Sequence, residues 1–404
     1  MLEKAGTERP PAAAGQSRLP SLTGARFLAA LGVFAYHLSR EGVFADPGVD
    51  KALRYWASAA GAVGVSFFFV LSGFVLTWSA RPGQRARTFW RRRVAKIYPN
   101  HLATFVLVAV VTWSTGVVVS AYQAPPALTD PSSWLPNLLL LQSWSPDARI
   151  FMTGNPVSWS LSCELLFYLS FPLLHRALLR LDSRRLWAVV GVCTAVVLLL
   201  PALAGLLPER PQLPFAPIGE ARYWFVYAFP LTRAVEFLLG MAAARLVLAG
   251  RWVRVPASAA LPLLAAGYVL ALHLPVLYAQ AAATVIPLTL LIGALARRDA
   301  DGRGSALSGR TFVWLGEVSF AFYMVHRLVL IYGHHLLGYG RGWALPQALA
   351  LTAAAFALAL LGSWLLYRAV EIPAMRKFGR TPATAPAVPR PRAEVRPRVP
   401  ERNP

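Results

Sequence analysis

Charge is scarce in this chain, and negative charge scarcest. Of 404 residues only 14% are Asp, Glu, Lys or Arg, and just 18 are acidic. Apolar residues make up 56%, and the mean hydropathy is +0.49. A soluble domain carries about 25% charged residues, so this composition excludes an ordinary soluble globule and points to an integral membrane protein. Cysteine is almost missing. Cys163 and Cys193 are the only two, and both lie in apolar runs. That count excludes a disulfide framework and gives no zinc-site spacing. Cys163 stands beside Glu164 and has the chemistry of an acyl-carrying nucleophile, but a small packing residue is the simpler reading. There is no internal repeat and no Gly-rich phosphate loop, so neither a solenoid nor a nucleotide-cradling P-loop is expected.

What is abundant is basic charge. Forty Lys and Arg residues give a net charge of +22. Such an excess would suit nucleic-acid binding on a soluble domain, but here the basic residues alternate with apolar segments, and no nucleic-acid partner is expected. Ten segments approach the roughly 20 apolar residues needed to cross a bilayer. They are about 22–39, 58–79, 99–120, 157–175, 186–207, 223–244, 256–273, 275–296, 312–332 and 345–367. Thirty of the 40 basic residues fall in the loops and termini of one side and seven on the other. By the positive-inside rule this predicts an all-α bundle of about ten spans with both termini in the cytoplasm of a cell membrane. Residues 1–18 and 379–404 are rich in Pro, Ala and Arg and are expected to be disordered, leaving 19–378 as one membrane domain. The segment 121–156, with Trp134 and Trp144, reads as a substrate lid or as an interfacial aromatic belt.

Ionisable groups inside a span are costly and mark function by default. The first span carries Arg26 and His37. Eleven residues return to nearly the same helix face, about 16 Å further along the axis. The second span contains Ser72-Gly73, small residues that admit a neighbouring backbone. The fourth runs Trp159-Ser160-Leu-Ser-Cys-Glu164, with Ser160 and Glu164 on one face. Arg233 and Glu236 sit at i, i+3 in the sixth and are read as a structural pair. Ser319, Tyr323 and His326 form a stripe in the ninth. Counted at 1.5 Å per residue, His37 and His326 both lie roughly 21–23 Å from the inner surface, with Glu164 roughly 12 Å below the outer one. The three are therefore expected to line one cavity in the outer half. A neutral imidazole is the usual base near neutral pH, and a carboxylate can orient it. Arg26 lies too far from His37 to hold its ring and suits an anionic donor. The basic run through Arg91, Arg92, Arg93 and Lys96 has the charge density to hold phosphates. His101, His175, His334 and His335 are expected at the interface.

Taken in order, these elements resemble the acyltransferase-3 family of integral-membrane O-acyltransferases, over about residues 19–378. Arg26-x10-His37 matches the family's Arg/His signature, and Phe68-Phe69-Val-Leu-Ser72-Gly73-Phe74 its second element. Trp159 to Tyr168, Arg233 to Gly240, Gly316 to His326 and Glu371-Ile-Pro373 match the rest. One departure stands out: where the family has Arg-x-x-Arg-x-x-Pro, this chain has Arg93-Val-Ala-Lys96-Ile-Tyr-Pro99. The resemblance implies transfer of an acyl group, commonly acetyl, from cytoplasmic acyl-CoA to a hydroxyl of a sugar, glycan or glycosylated product. His37 would be the essential base or acyl relay. Glu164, His326 and Tyr323 are expected to support it, and Arg26, Arg91, Arg92, Arg93 and Lys96 to engage acyl-CoA. Ser72, Gly73, Trp159, Ser160, Arg233, Glu236 and Ser319 are expected to shape the site. Acyl-CoA is a co-substrate here; no resident cofactor or metal is expected. The Arg-, Ala- and Pro-rich composition suits a high-GC bacterium and tilts the acceptor toward a macrolide or similar glycoside. The rival expectation is a transporter or flippase for a glycolipid or export substrate. Against it stands the lack of an inverted repeat or paired helix breaks.

Overall fold

A computed structural model describes residues 18–117, 130–213, 216–338 and 340–379. The expected disordered termini, apart from residues 18 and 379, and residues 121–129 of the lid segment therefore lie outside the described residues. The first half contains α1 (Pro20–Leu38), α2 (Pro47–Ala57), α3 (Ala60–Trp78), α4 (Ala86–Thr115), α5 (Pro131–Leu138), α6 (Ala148–Phe151) and α7 (Trp159–Leu179). The second contains α8 (Ser183–Ala204), α9 (Glu220–Tyr227), α10 (Pro230–Leu248), α11 (Ala257–His273), α12 (Val276–Ala279), α13 (Val285–Ala300), α14 (Arg310–Gly338) and α15 (Leu345–Leu366). A π-helical turn at Tyr367–Glu371 then leads into α16 (Ile372–Phe378). Among the described residues there are isolated bridges but no strand.

Among the described residues six helical stretches are long and apolar enough to cross a membrane: Pro47–Trp78, Ala86–Thr115, Pro156–Leu179, Ser183–Ala204, Arg310–Gly338 and Leu345–Phe378. Several expected boundaries change. The third segment begins at Ala86, not near 99, so the basic run is helix rather than loop. The sixth is broken at Ala228-Phe229, because Pro230 supplies no N–H and can only start a new helix. Thr232 Oγ repairs that break by donating to the Phe225 and Phe229 carbonyls, at 2.7 and 2.9 Å. The eighth is likewise divided, into α12 and α13.

The centre of the bundle is α3 against α10 and α1 against α3 and α14. Small residues set the first contact. A Cβ built on Gly73 would lie 1.9 Å from the Phe237 carbonyl oxygen, and one on Gly240 would lie 1.9 Å from that of Val70. The two backbones touch at these glycines, which is what Ser72-Gly73 predicts. Asp299 on α13 accepts from Ser21 N at 2.9 Å and Ser21 Oγ at 2.5 Å, placing a carboxylate on the positive end of α1. The outer helices α8, α11 and α15 turn leucines such as Leu199, Leu261 and Leu358 outward, a surface suited to hydrocarbon.

Candidate active site

Helix phase decides which basic residues face inward. On α4, Arg93 and Lys96 are three residues apart and share a face. With Arg26 of α1 they form a collar common to two spaces. The outer space is a vestibule of about 820 Å³, with Arg92 and Arg376 on its wall together with Glu317 and Glu371. The inner is a chamber of about 160 Å³ between α3, α4, α7 and α14. Arg91 is exposed and lines neither space.

The chamber runs from the collar to a pair of hydroxyls. Ser160 Oγ and Tyr323 Oη are 3.0 Å apart, and each lies 3.1 Å from the Val157 carbonyl, which can accept from either. Ser72 lines the wall between them and the collar, and Phe68 packs its edge against Tyr323 with ring centres 6.0 Å apart. Trp159 braces the same end, its ring centre 4.5 Å from Tyr227 and 6.1 Å from Phe69.

His37 and His326 meet behind Tyr323. Their ring centres are 5.2 Å apart, and that of Tyr323 is 5.9 Å from His326. His326 is fully buried and places Nδ1 3.1 Å from the Phe322 carbonyl. A carbonyl only accepts, so the hydrogen-bond pattern assigns the proton to Nδ1. Nε2 is then a buried lone pair with no partner among the described residues. Phe34 and Phe322 flank His326, with ring centres 6.3 and 5.8 Å from its own, while His37 is half-buried beside Tyr36 at 5.2 Å. Ser319 donates to its own helix at Gly316, at 2.7 Å. A Cβ at Gly316 would strike the Thr23 carbonyl at 1.9 Å, so this glycine fixes the approach of α14 to α1.

Glu164 is not part of the histidine group. It lies one turn beyond Ser160, about 6 Å along the axis. There it accepts a hydrogen bond from Tyr168 and faces the charges of Arg26, Arg93 and Lys96. The structure thus brings together His37, His326 and Tyr323, and separately Glu164 with the cations. Arg233 and Glu236 pair at 2.9 Å in the buried contact of α3 and α10, where Arg233 also donates to Ser66 Oγ at 3.1 Å and lies over the Phe69 ring. His101 is fully buried rather than interfacial and hydrogen-bonds the Asn137 carbonyl at 2.9 Å. Cys163 is enclosed, its Sγ 3.4 Å from the Ala228 carbonyl in the helix break, which favours the packing role.

Two groups have no role in the sequence reading: Glu371, named there only within a matched element, and Glu41. Glu371, from the π turn, is buried, pairs with Lys96 and accepts from Asn100 Nδ2 at 2.7 Å. Glu41, one turn past His37, pairs with Arg327, the neighbour of His326, and ties α1 to α14 at the level of the two histidines. The signal for both was present: an intramembrane Lys or Arg requires a counter-ion. Among the described residues no group of three His, Cys, Asp or Glu side chains is placed to hold a metal.

The profile of the acyltransferase domain family matches residues 19–368. The chain belongs to this family. It is 43% identical to Acyltransferase MdmB of Streptomyces mycarofaciens over 379 residues, covering 91% of this chain and 95% of that protein. It is 27% identical over 246 residues to the peptidoglycan O-acetyltransferase OatA of Listeria monocytogenes, covering 56% of this chain and one third, 33%, of that protein. The putative peptidoglycan O-acetyltransferase YrhL of Bacillus subtilis is 26% identical over 345 residues, covering 78% of this chain and 49% of YrhL. No solved structure matches. The chain is therefore a membrane O-acyltransferase, and the rival transport reading gives way to catalysis.

Proposed function

We propose that this acyltransferase moves a short acyl group, acetyl foremost, from acyl-CoA to a hydroxyl of a glycosylated secondary metabolite such as a macrolide. The observation that carries the reading is the continuous path from an open cationic vestibule, through the collar, to hydroxyls backed by a histidine pair. The donor's phosphates rest on Arg92, Arg93, Lys96 and Arg26, and its thioester arm enters the chamber. The 43% relative is an acyltransferase matched along nearly its whole length, whereas the peptidoglycan enzymes match more weakly and over half or less of theirs, which weighs against peptidoglycan as the acceptor. In this reading about ten spans cross the plasma membrane with both termini cytoplasmic, so the vestibule faces the acyl-CoA pool.

His37 removes the proton from the acceptor hydroxyl as its oxygen bonds to the thioester carbon. The tetrahedral intermediate collapses, the C–S bond breaks, and the proton passes from His37 to the departing thiolate. His326, with its proton committed to Phe322, offers the Nε2 lone pair to the His37 imidazolium. Tyr323 stands between chamber and histidines and donates a hydrogen bond to the developing oxyanion. Glu164 balances the collar's charge instead of orienting His37.

The test is comparative mass spectrometry of glycosides, glycolipids and glycans from cells lacking the gene, complemented with wild type or with His37→Ala. A species heavier by one acyl group is expected only with wild type. Identical profiles from both complemented strains would overturn the reading.

A further inference from the structure

The path described so far uses α1 and α4 for phosphate contact, yet the vestibule has another wall. It is made by the segment Tyr367–Gly379, which contributes Tyr367, Glu371, Ile372, Met375, Arg376 and Gly379. This wall is fastened to α4 at two points. Arg92 Nε donates to the Gly379 carbonyl at 3.1 Å, and Glu371 takes the Lys96 ammonium. Both fastenings occupy basic groups of α4. Lys96 shares its charge with a buried carboxylate, and Arg92 commits one of its donors. Arg376, by contrast, is exposed on the rim of the same space. The π turn at Tyr367–Glu371 adds a residue to the helical repeat. Glu371 faces inward to Lys96 while Arg376 still reaches the vestibule.

The charge balance of the space is cationic. Arg26, Arg92, Arg93, Lys96 and Arg376 face Glu317 and Glu371 there. Its volume of about 820 Å³ falls within the range of roughly 300–1,000 Å³ usual for small-molecule sites. Acyl-CoA brings a diphosphate and a 3′-phosphate, too many anionic oxygens for the collar alone. We infer that the C-terminal segment is the second wall of the donor site and that Arg376 binds a phosphate of the CoA nucleotide, opposite Arg92 and Arg93. The inference rests on the acyl-CoA reading above.

Isothermal titration of CoA into the detergent-purified full-length protein tests it. Arg376→Ala should weaken CoA about tenfold and flatten the salt dependence of log Kd, as loss of one charge-assisted phosphate contact requires. Arg376→Lys should recover most of the salt dependence, which a merely structural role would not do. Lys377→Ala is the control: its ammonium packs over the Phe378 ring, 5.4 Å from the centroid, and lines neither space, so its Kd should match wild type. Wild-type Kd and salt slope in Arg376→Ala would overturn this inference and leave the acyl-CoA reading standing. Failure of the wild-type protein to bind CoA would overturn both.

Discussion

The vestibule spreads Arg26, Arg92, Arg93, Lys96 and Arg376 around open space, whereas the other end of the site closes phenylalanines around His326, the partner of His37. The difference follows from what each end must do. A phosphate-bearing donor has to arrive from water and leave again, so its contacts are long, flexible side chains that water still reaches. A proton-transfer group has to be close to its partner during the reaction, so His37 is set against His326, which is itself buried among rings. One chain serves both because α1 and α14 run between the ends. Arg26 and Glu317 lie at the first, and His37 and His326 at the second.

Substitutions at the two ends should therefore fail in different ways. The largest effect belongs to the histidine end. His37→Ala should lower acyl transfer by about 10²–10⁴-fold, the usual contribution of a general base, while CoA binds with wild-type affinity. Arg93→Ala should do the reverse. Its CoA Kd should rise about ten- to hundredfold, the span expected for losing one hydrogen bond to a charged group, and saturating donor should restore most of the turnover. If His37→Ala also loses CoA, the two ends are not separable and the division argued above fails.

A smaller effect is expected at the boundary. Tyr323→Phe removes the hydroxyl that shares the Val157 carbonyl with Ser160, and Ser160 Oγ remains to satisfy that acceptor at 3.1 Å. Little stability should be lost. Turnover should fall about tenfold, below the roughly 10²–10³-fold usual for losing an oxyanion donor because Ser160 Oγ, 3.0 Å away, can take over part of that contact, with CoA affinity unchanged. A change in CoA Kd as large as that of Arg93→Ala would place Tyr323 with the donor contacts instead.

Much of this division is legible in the sequence alone. Helical periodicity put Arg26 and His37 on one face, depth counting brought His37 to His326, and Ser72-Gly73 announced a close helix contact. What sequence could not supply was lateral neighbours. Glu164 was counted into the histidine cavity because depth is one-dimensional: it fixes height along the bundle but not which wall a side chain occupies, and one helical turn sufficed to hand it to the cations. The basic run looked like a loop anchor because Arg91, Arg92 and Arg93 are adjacent. Only their helical phase reveals that Arg93 faces the collar while Arg91 does not. The Lys96 counter-ion lies 275 residues away, beyond any local pattern. The break before Pro230 was readable from proline chemistry, but the apolar run on both sides of it hid the interruption.

Lys96 offers the finest test of the donor end, because there this chain departs from the family pattern. Its ammonium is engaged by Glu371, and the other Glu371 oxygen accepts from Asn100 at 2.7 Å. A lysine presents one compact charge, so whatever it gives to Glu371 it withholds from a phosphate. An arginine has a planar fork and can meet a carboxylate with one edge while a second edge remains free. Lys96→Arg should therefore keep the Glu371 contact and add a donor toward the vestibule. The CoA Kd should fall about twofold to fivefold, a modest gain because the collar already carries two arginines and its mouth is solvated. Titration with CoA measures it directly. A weaker Kd in Lys96→Arg would mean that the compact ammonium is required by the geometry around Glu371, and that this departure is a fitted feature of the site.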